Sequence, residues 1–301
     1  MQALASAVQD IGPAADYARF HDAVAHAQLT HWLAELAPRP ELLIDISGPP
    51  RAAQVAACAG HSVLRVVEPG PAAGGVGDRG GAEPHMRGGP GGRPSRGGMA
   101  GAEPPIRGGP GGYGGRAAPH ARGGPGGSPP RANRGRLRTV AADGTGLEFL
   151  ADGCADGVIA EDRTLSRRLA AEPLVAEIAR VLRPGGQVLA CVDSLTLGMA
   201  VLAEQHRWPH LMDVPNADVV LVPWPDGTIT RCYGAEQLRE LFTSSGLEVS
   251  WIRPRTVFSP RTVSYLLGRN PGSFGELVTA ELRARSDDSV GAQLVTCARR
   301  C

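Results

Sequence analysis

The chain has 301 residues, 42% of them apolar, and a net charge of +1, which is enough for one large α/β domain or two small ones; one domain carrying an insertion fits better. No apolar run approaches the ~20 residues of a membrane-spanning helix and no charged-then-apolar leader follows Met1, so a cytoplasmic protein without a membrane partner is expected. Cys58, Cys154, Cys191, Cys232, Cys297 and Cys301 form no CxxC pair and no repeated spacing, the pattern of reduced thiols. All 31 basic residues are arginine, and alanine, glycine and proline abound, a coding bias expected of a GC-rich bacterial genome.

Asp16 to Leu36 places Phe20, Val24, Ala27, Leu29, Leu33 and Leu36 at three-to-four-residue spacing, which predicts an amphipathic helix ended by Pro38 and Pro40. Residues 1–40 are read as an N-terminal helical cap. His21, His26 and His31 stand five apart, about 140° round a helix, so they share no face and read as solvated or packed rather than metal-binding.

Leu42, Leu43 and Ile44 form an apolar run that suits a parallel strand buried on both faces, closed by Asp45 and the turn Ser47-Gly48-Pro49-Pro50. Arg51 to Ala59 is helix-competent, Gly60 ends it, and Ser62 to Val67 reads as a second strand ending on Glu68. This is a βαβ half-unit. Its turn lets backbone approach a ligand, and an acid at the second strand's tip accepts ribose hydroxyls; Glu68 lies 23 positions after Asp45, near the ~20 such sites show. Asp45, Ser47, Gly48 and Glu68 are therefore candidate contacts to an adenosine-containing ligand.

From Gly70 the composition changes. The string RGGPGG recurs at Arg87, Arg107 and Arg122, and glycine and proline leave almost no apolar periodicity, so residues 70–136 are expected to be a disordered Gly/Pro/Arg-rich insertion. Between Gly70 and Arg138 eleven arginines stand against Asp78, Glu83 and Glu103, giving +8 and leaving −7 for the rest of the chain. Such a segment is either a solvated linker or a weak tether for RNA or an acidic partner, and Tyr113 is its one aromatic. It occupies the slot of a second crossover helix, which is either lost or replaced by part of the insertion.

Structure resumes at the strand Leu137 to Ala142, which ends on Asp143-Gly144, and a further strand runs from Asp156 to Ala160, with Glu161 and Asp162 at its tip. These acids read as a substrate-positioning pair and general base or as solvated loop acids. Leu174, Ile178, Val181 and Leu182 form a helical stripe that Arg183-Pro184-Gly185-Gly186 turns into the strand Gln187 to Val192, with Asp193 and Ser194 at its tip. Leu195 to Tyr233 is a lid-like excursion holding a hairpin turned at Pro225-Asp226-Gly227. His206, Trp208, His210, Trp224 and Tyr233 gather there and either line a substrate pocket or pack a small subdomain. Ala235 to Ser245 is a helix, Leu247 to Ile252 a strand, and Gly291 to Arg299 the last strand, after short helices near Tyr265 to Leu267 and Phe274 to Arg283.

The first βαβ unit, the string EIARVLRPGGQVLACVDS and the string YGAEQLRELFTSSGLEV together resemble class I S-adenosylmethionine-dependent methyltransferases of the type 11 kind, over most of residues 10–260 with the insertion excluded. The glycine motif is degenerate, keeping Gly48 alone. The resemblance implies a three-layer Rossmann-like α/β fold over residues 41–69 and 137–301, with seven mostly parallel strands in the order 3-2-1-4-5-7-6, the last one antiparallel. It implies S-adenosylmethionine as cofactor. Tyr17 would cover it, unless that residue is simply a core aromatic, and Asp143 with Gly144 would meet the adenine, unless they are only an Asp-Gly turn. Asp45, Ser47, Gly48, Glu68 and Glu161 complete the cofactor set. Methyl transfer from a sulfonium needs chiefly contact between acceptor and methyl, with a base drawn from Glu161, Asp162, His206 and His210. A small-molecule oxygen, nitrogen or carbon is the expected acceptor, because the folded part is acidic. The absence of G-x-G-x-x-G after the first strand speaks against a nicotinamide oxidoreductase. The stronger rival is a non-catalytic methyltransferase-like scaffold whose basic repeat binds RNA or an acidic partner.

Overall fold

The computed structural model describes residues 14–36, 42–68, 135–142, 146–217, 219–224, 226–283 and 290–301. Nearly all of the expected 70–136 insertion, and Asp143 and Gly144 with it, lie outside the described residues.

The buried apolar runs form the sheet. β1 (Leu43–Asp45) pairs parallel with β2 (Val63–Val67) on one side and β4 (Ala155–Ala160) on the other. β3 (Leu137–Ala141) pairs parallel outside β2, and β5 (Leu182–Ser194) outside β4. The last strand, β9 (Gln293–Arg300), runs antiparallel between β5 and β8 (Leu247–Arg255). Counting these seven in chain order gives 3-2-1-4-5-7-6 with an antiparallel last strand, so the chain has the class I methyltransferase fold. The excursion supplies two further strands, β6 (Val220–Pro223) and β7 (Ile229–Tyr233), an antiparallel hairpin that joins the tip of β5 through Asp193↔Cys232 and Ser194↔Tyr233. Among the described residues the sheet therefore has nine strands, the expected seven and the two of the hairpin.

β1 and β4 are buried along their whole length, as strands covered on both faces must be. On one face lie α1 (Ala14–Glu35) and α2 (Arg51–Cys58), whose Leu29, Trp32, Leu33 and Ala53 pack on Leu43, Ile159, Leu189 and Val295. On the other, α3 (Glu172–Val181) and α6 (Ala235–Thr243) bring Leu174, Ile178, Leu238 and Phe242 against Ile44, Val158, Val188 and Val192. The excursion has its own small core: α4 (Leu195–Glu204) packs Leu197, Val201 and Leu202 on Val220, Val222 and Trp224, and α5 (Trp208–Asp213) follows it. The far end of α1 packs Phe20 and Val24 on α7 (Pro260–Arg269) and α8 (Phe274–Leu282) through Val263, Leu267 and Leu277.

The turn expected at Arg183 to Gly186 lies inside β5. Leu182 is already paired with Ala155, Gln187 pairs with Gly157, and the four residues between bulge outward. Gly185 takes φ +80°, and a Cβ on Gly186 would lie 2.9 Å from the Arg183 carbonyl, so both glycines are required by the bulge. All six cysteines are free. Among the described residues no helix is long and apolar enough to cross a membrane.

Candidate functional site

The sheet order reverses direction between β1 and β4, and open α/β sheets bind ligands at the carboxyl ends of strands at such a point. The site starts from Asp45. Its Oδ1 accepts the Ser47 N–H at 2.9 Å and its Oδ2 accepts the Ala53 N–H at 3.1 Å, so the acid folds back on its own turn and satisfies an orphan donor of α2. Burial pushes its carboxyl up to about 6, against the pull of those N–H groups. The turn is also sewn to β4: Ile46 N–H donates to the Ile159 carbonyl and Glu161 N–H to Ser47 Oγ, both at 2.9 Å. A Cβ on Gly48 would lie 3.3 Å from Asp162 Oδ2 and 3.5 Å from Arg167 Nη1, close enough that a side chain there would press on this exposed ion pair. Across the turn, Arg65 donates to the Gly48 carbonyl.

Two clefts open on either side of this unit. The first, about 630 Å³, is lined by Ile46, Ser47 and Gly48 of the turn, Arg65 to Glu68 at the end of β2, Ala142 and Gly146, and Thr164, Arg167, Arg168 and Leu174. Glu68 reaches it with an exposed side chain that accepts from Arg168 Nη2 at 3.1 Å. Ala142 and Gly146, which bracket the undescribed Asp143 and Gly144, also border it. The second cleft, about 280 Å³, lies between α1 and α2, where His21, Asp22, His26 and Leu29 face Ser47, Arg51, Val55, Glu161, Asp162 and Arg255. The Arg51 guanidinium pairs with Asp22, and His21 Nε2 lies 3.1 Å from Gln293 Oε1.

Glu161 and Asp162, adjacent in sequence, have different environments. Glu161 is buried and held bidentately by Arg255, whose Nη1 and Nη2 lie 2.7 and 2.9 Å from its two oxygens. Arg255 is itself buried, and its Nε donates to Gln28 Oε1 at 2.7 Å. Burial opposes the charge on Arg255, but the Glu161 carboxylate overrides it and holds the guanidinium protonated. Each Glu161 oxygen thus accepts from Arg255, so its carboxylate is tied to a buried structural partner even though it borders the second cleft. Asp162 sits at φ +56°, followed by Arg163 at +60°, and pairs with Arg167 at 3.0 Å at the rim between the clefts.

His206 and His210 are exposed on the excursion, His206 stacked on Trp208 with ring centroids 6.0 Å apart, and neither lines either cleft. Tyr17 lines neither cleft. It packs on Phe20, its hydroxyl bonds Thr256, and its phenol is pushed up to about 12 by burial and then by the Glu281 charge. Trp224 is buried in the small core of the excursion and Tyr233 in the main core on the α3 and α6 face of the sheet. Trp224 Nε1 donates to Thr230 Oγ1 at 2.8 Å, with the Arg163 guanidinium 5.7 Å from its ring centroid. Arg163 Nη1 approaches Asp193 Oδ2 at 3.4 Å, and Asp193, fully buried at the tip of β5, is pushed up to about 6 by burial.

Sequence reasoning did not single out Arg65, Arg167, Arg168 or Arg255. The strand end Trp251 to Arg255 carries both Arg253 and Arg255, and nothing in its sequence marks the second as the buried one. The three cleft arginines carry no spacing signal, because Arg65 on β2 lies about a hundred positions from the adjacent pair Arg167 and Arg168 beyond β4.

No protein-family model and no curated protein matches the chain. Solved structures do. A SAM-dependent methyltransferase from Methanosarcina mazei has 13% identity and a TM-score of 0.44 over 88% of this chain and 94% of its own. The 1,6-didemethyltoxoflavin-N1-methyltransferase of Burkholderia thailandensis has 14% identity and a TM-score of 0.44 over 92% of this chain and 78% of its own. A SAM-dependent methyltransferase of Thermotoga maritima, described as a possible histamine N-methyltransferase, has 12% identity and a TM-score of 0.44 over 95% and 94%.

Proposed function

We propose that the chain is an S-adenosylmethionine-dependent methyltransferase acting on a small molecule. The observation that carries this reading is the first cleft, a 630 Å³ space at the switch point of a methyltransferase-type sheet, bounded by the turn after β1 and by Glu68 beyond β2. In this reading the adenosyl part lies along Ile46, Val66, Val67 and Leu174, with the ribose hydroxyls on Glu68 and the adenine toward Ala142 and Gly146. The methionyl end passes over Ser47 and Gly48 toward the second cleft. At about 280 Å³ that cleft lies at the small end of ligand pockets, which suits a small acceptor.

The cofactor supplies an activated methyl group; the chain's own residues orient and enclose it. Asp45 holds the turn in register, and the Ser47 bridge to Glu161 fixes the β1 and β4 tips together, so that acceptor and methyl are brought into line by a preformed frame. Of the four candidate bases, Asp162 is the one with a cleft position and a carboxylate free to exchange its partner, because Arg167 lies half exposed beside it. The helix α1 caps the second cleft in this reading, and no step of it uses residues 70–134.

Calorimetric titration of S-adenosylmethionine and of its demethylated product, with Glu68→Ala alongside, tests the proposal. Micromolar binding that Glu68→Ala weakens supports it. Absence of binding at millimolar ligand by the folded protein moves the reading to the non-catalytic scaffold, and RNA pulldown with and without residues 72–134 then decides what the scaffold holds.

A further inference from the structure

One wall of the first cleft is built from guanidinium groups. Arg65 on β2 and Arg167 and Arg168 beyond β4 line it, with Glu68 as the lining acid. Asp162 holds Arg167 at 3.0 Å from the rim and Glu68 holds Arg168 at 3.1 Å, so among the described residues three cations face two carboxylates. The Arg65 Nε is buried and has no hydrogen-bond partner among the described residues. The Arg167 and Arg168 side chains remain 51% and 27% exposed, so a ligand can reach both.

The opposite wall offers an anion fewer backbone donors than such turns usually do. Turns that lead into a helix hold phosphates on free backbone N–H groups. Here Pro49 and Pro50 have none, and the N–H groups of Ser47 and Ala53 already donate to Asp45. The arginines are therefore the main holders of an anion entering the cleft, and their planar forks match phosphate oxygens. The space far exceeds a bare phosphate, and Ile46, Val66, Val67 and Leu174 give it an apolar side on which a base and ribose can lie.

We infer that the first cleft is a site for a nucleoside phosphate, with the phosphates on Arg167 and Arg168 and the nucleoside against Ile46, Val66 and Leu174. This goes beyond the methyl-transfer reading, because that cofactor carries a sulfonium cation and no phosphate. The two ligands would compete for the same space, and the excess positive charge favours the anion.

The experiment is calorimetric titration of the full chain at low salt with ADP, adenosine and pyrophosphate, repeated on Arg167→Ala/Arg168→Ala and Arg167→Lys/Arg168→Lys. Thermal melts establish that each variant is folded. ADP is expected to bind about ten-fold or more tightly than either fragment, to weaken about ten- to hundred-fold in the alanine variant and to recover in part with lysine. The insertion arginines are untouched in both variants, so nonspecific binding to them cannot produce that loss. Equal affinity for ADP and adenosine, or ADP binding that the alanine variant retains, overturns the assignment. Pyrophosphate binding as tightly as ADP overturns the nucleoside part of it. S-adenosylmethionine titrated into the same samples separates the two readings: ADP bound without the cofactor leaves this inference and removes methyl transfer, and the reverse removes this inference alone.

Discussion

Glu161 and Asp193 stand at the tips of neighbouring parallel strands, both are buried, and both face an arginine, yet they are different kinds of group. Glu161 has two short hydrogen bonds from one guanidinium, at 2.7 and 2.9 Å, and the same arginine is anchored on Gln28 of α1. Asp193 has a single long contact of 3.4 Å to Arg163, help from Thr230, and an Oδ1 without a partner among the described residues. The first is a clamp between β4, β8 and α1. The second is a carboxylate whose desolvation is only partly offset, so its charge costs the fold something that varies with pH. The same residue class at the same place in the fold gives a fixed ion pair in one case and a titrating group in the other; the number and quality of hydrogen bonds decides.

The largest expected effect follows from breaking the clamp. Arg255→Met leaves the Glu161 charge buried without its partner, and removing one side of a buried pair costs about 3–5 kcal/mol. Adding Glu161→Gln to that variant removes the stranded charge and is expected to recover much of the loss. Urea denaturation of both variants checks this. A single-variant loss below about 1 kcal/mol would show that the pair is solvated in solution, and the contrast with Asp193 would then fail.

Asp193→Asn is expected to act in the opposite direction, and with pH. The folded-state carboxyl is raised from 3.8 to about 6, so the native state holds the proton more tightly than the unfolded chain does. The stability this contributes is fully present below about pH 3.8 and is lost as pH rises through about 6. Asparagine carries no charge to desolvate. Its NH2 takes the unpartnered Oδ1 position, and its oxygen stays toward Arg163 and Thr230. Relative to the parent it should therefore gain stability between pH 4 and pH 7, by up to about 3 kcal/mol. Melting curves across that range measure it, and a difference that does not change with pH refutes the account. Asp45 is also raised to about 6, but asparagine offers no such relief there, since both of its oxygens accept N–H groups and one donor would be stranded.

Much of the frame was readable in the residues because it rests on local rules. The continuous apolar runs of β1 and β4, the helix stop before Gly60 and the hairpin near Asp226 each depend on neighbours a few positions apart. The site was less readable because its geometry is set by distant pairs. Gln28 to Arg255 spans 227 positions and Glu161 to Arg255 spans 94, and no spacing rule reaches either. Histidine chemistry drew attention to His206 and His210, which the structure leaves exposed on the excursion, while His21 and His26, dismissed as metal ligands, line the second cleft. Tyr17 was drawn toward the cofactor by resemblance; its ring went instead to the aromatic packing with Phe20. Nor could sequence show that the hairpin continues the sheet, because its pairing with β5 is confined to Asp193 and Ser194.

The smallest effect tests how Asp193 is supported from the excursion. Trp224 donates to Thr230, and the Thr230 hydroxyl is in turn bonded to Asp193, so the indole N–H leaves the threonine proton free to face the carboxylate. Trp224→Phe keeps most of the buried ring and deletes that one neutral hydrogen bond, at a cost of about 1 kcal/mol. Without the indole donor the Thr230 hydroxyl is polarised less and stabilises the Asp193 charge less, so the fall in stability with rising pH should steepen slightly rather than flatten. In Asp193→Asn the same Trp224→Phe change should cost its fixed increment with no pH-dependent part. A double-mutant cycle measured at pH 5 and at pH 7 separates the two contributions. An equal cost for Trp224→Phe at both pH values in both backgrounds would show that the hairpin packs beside Asp193 without tuning it.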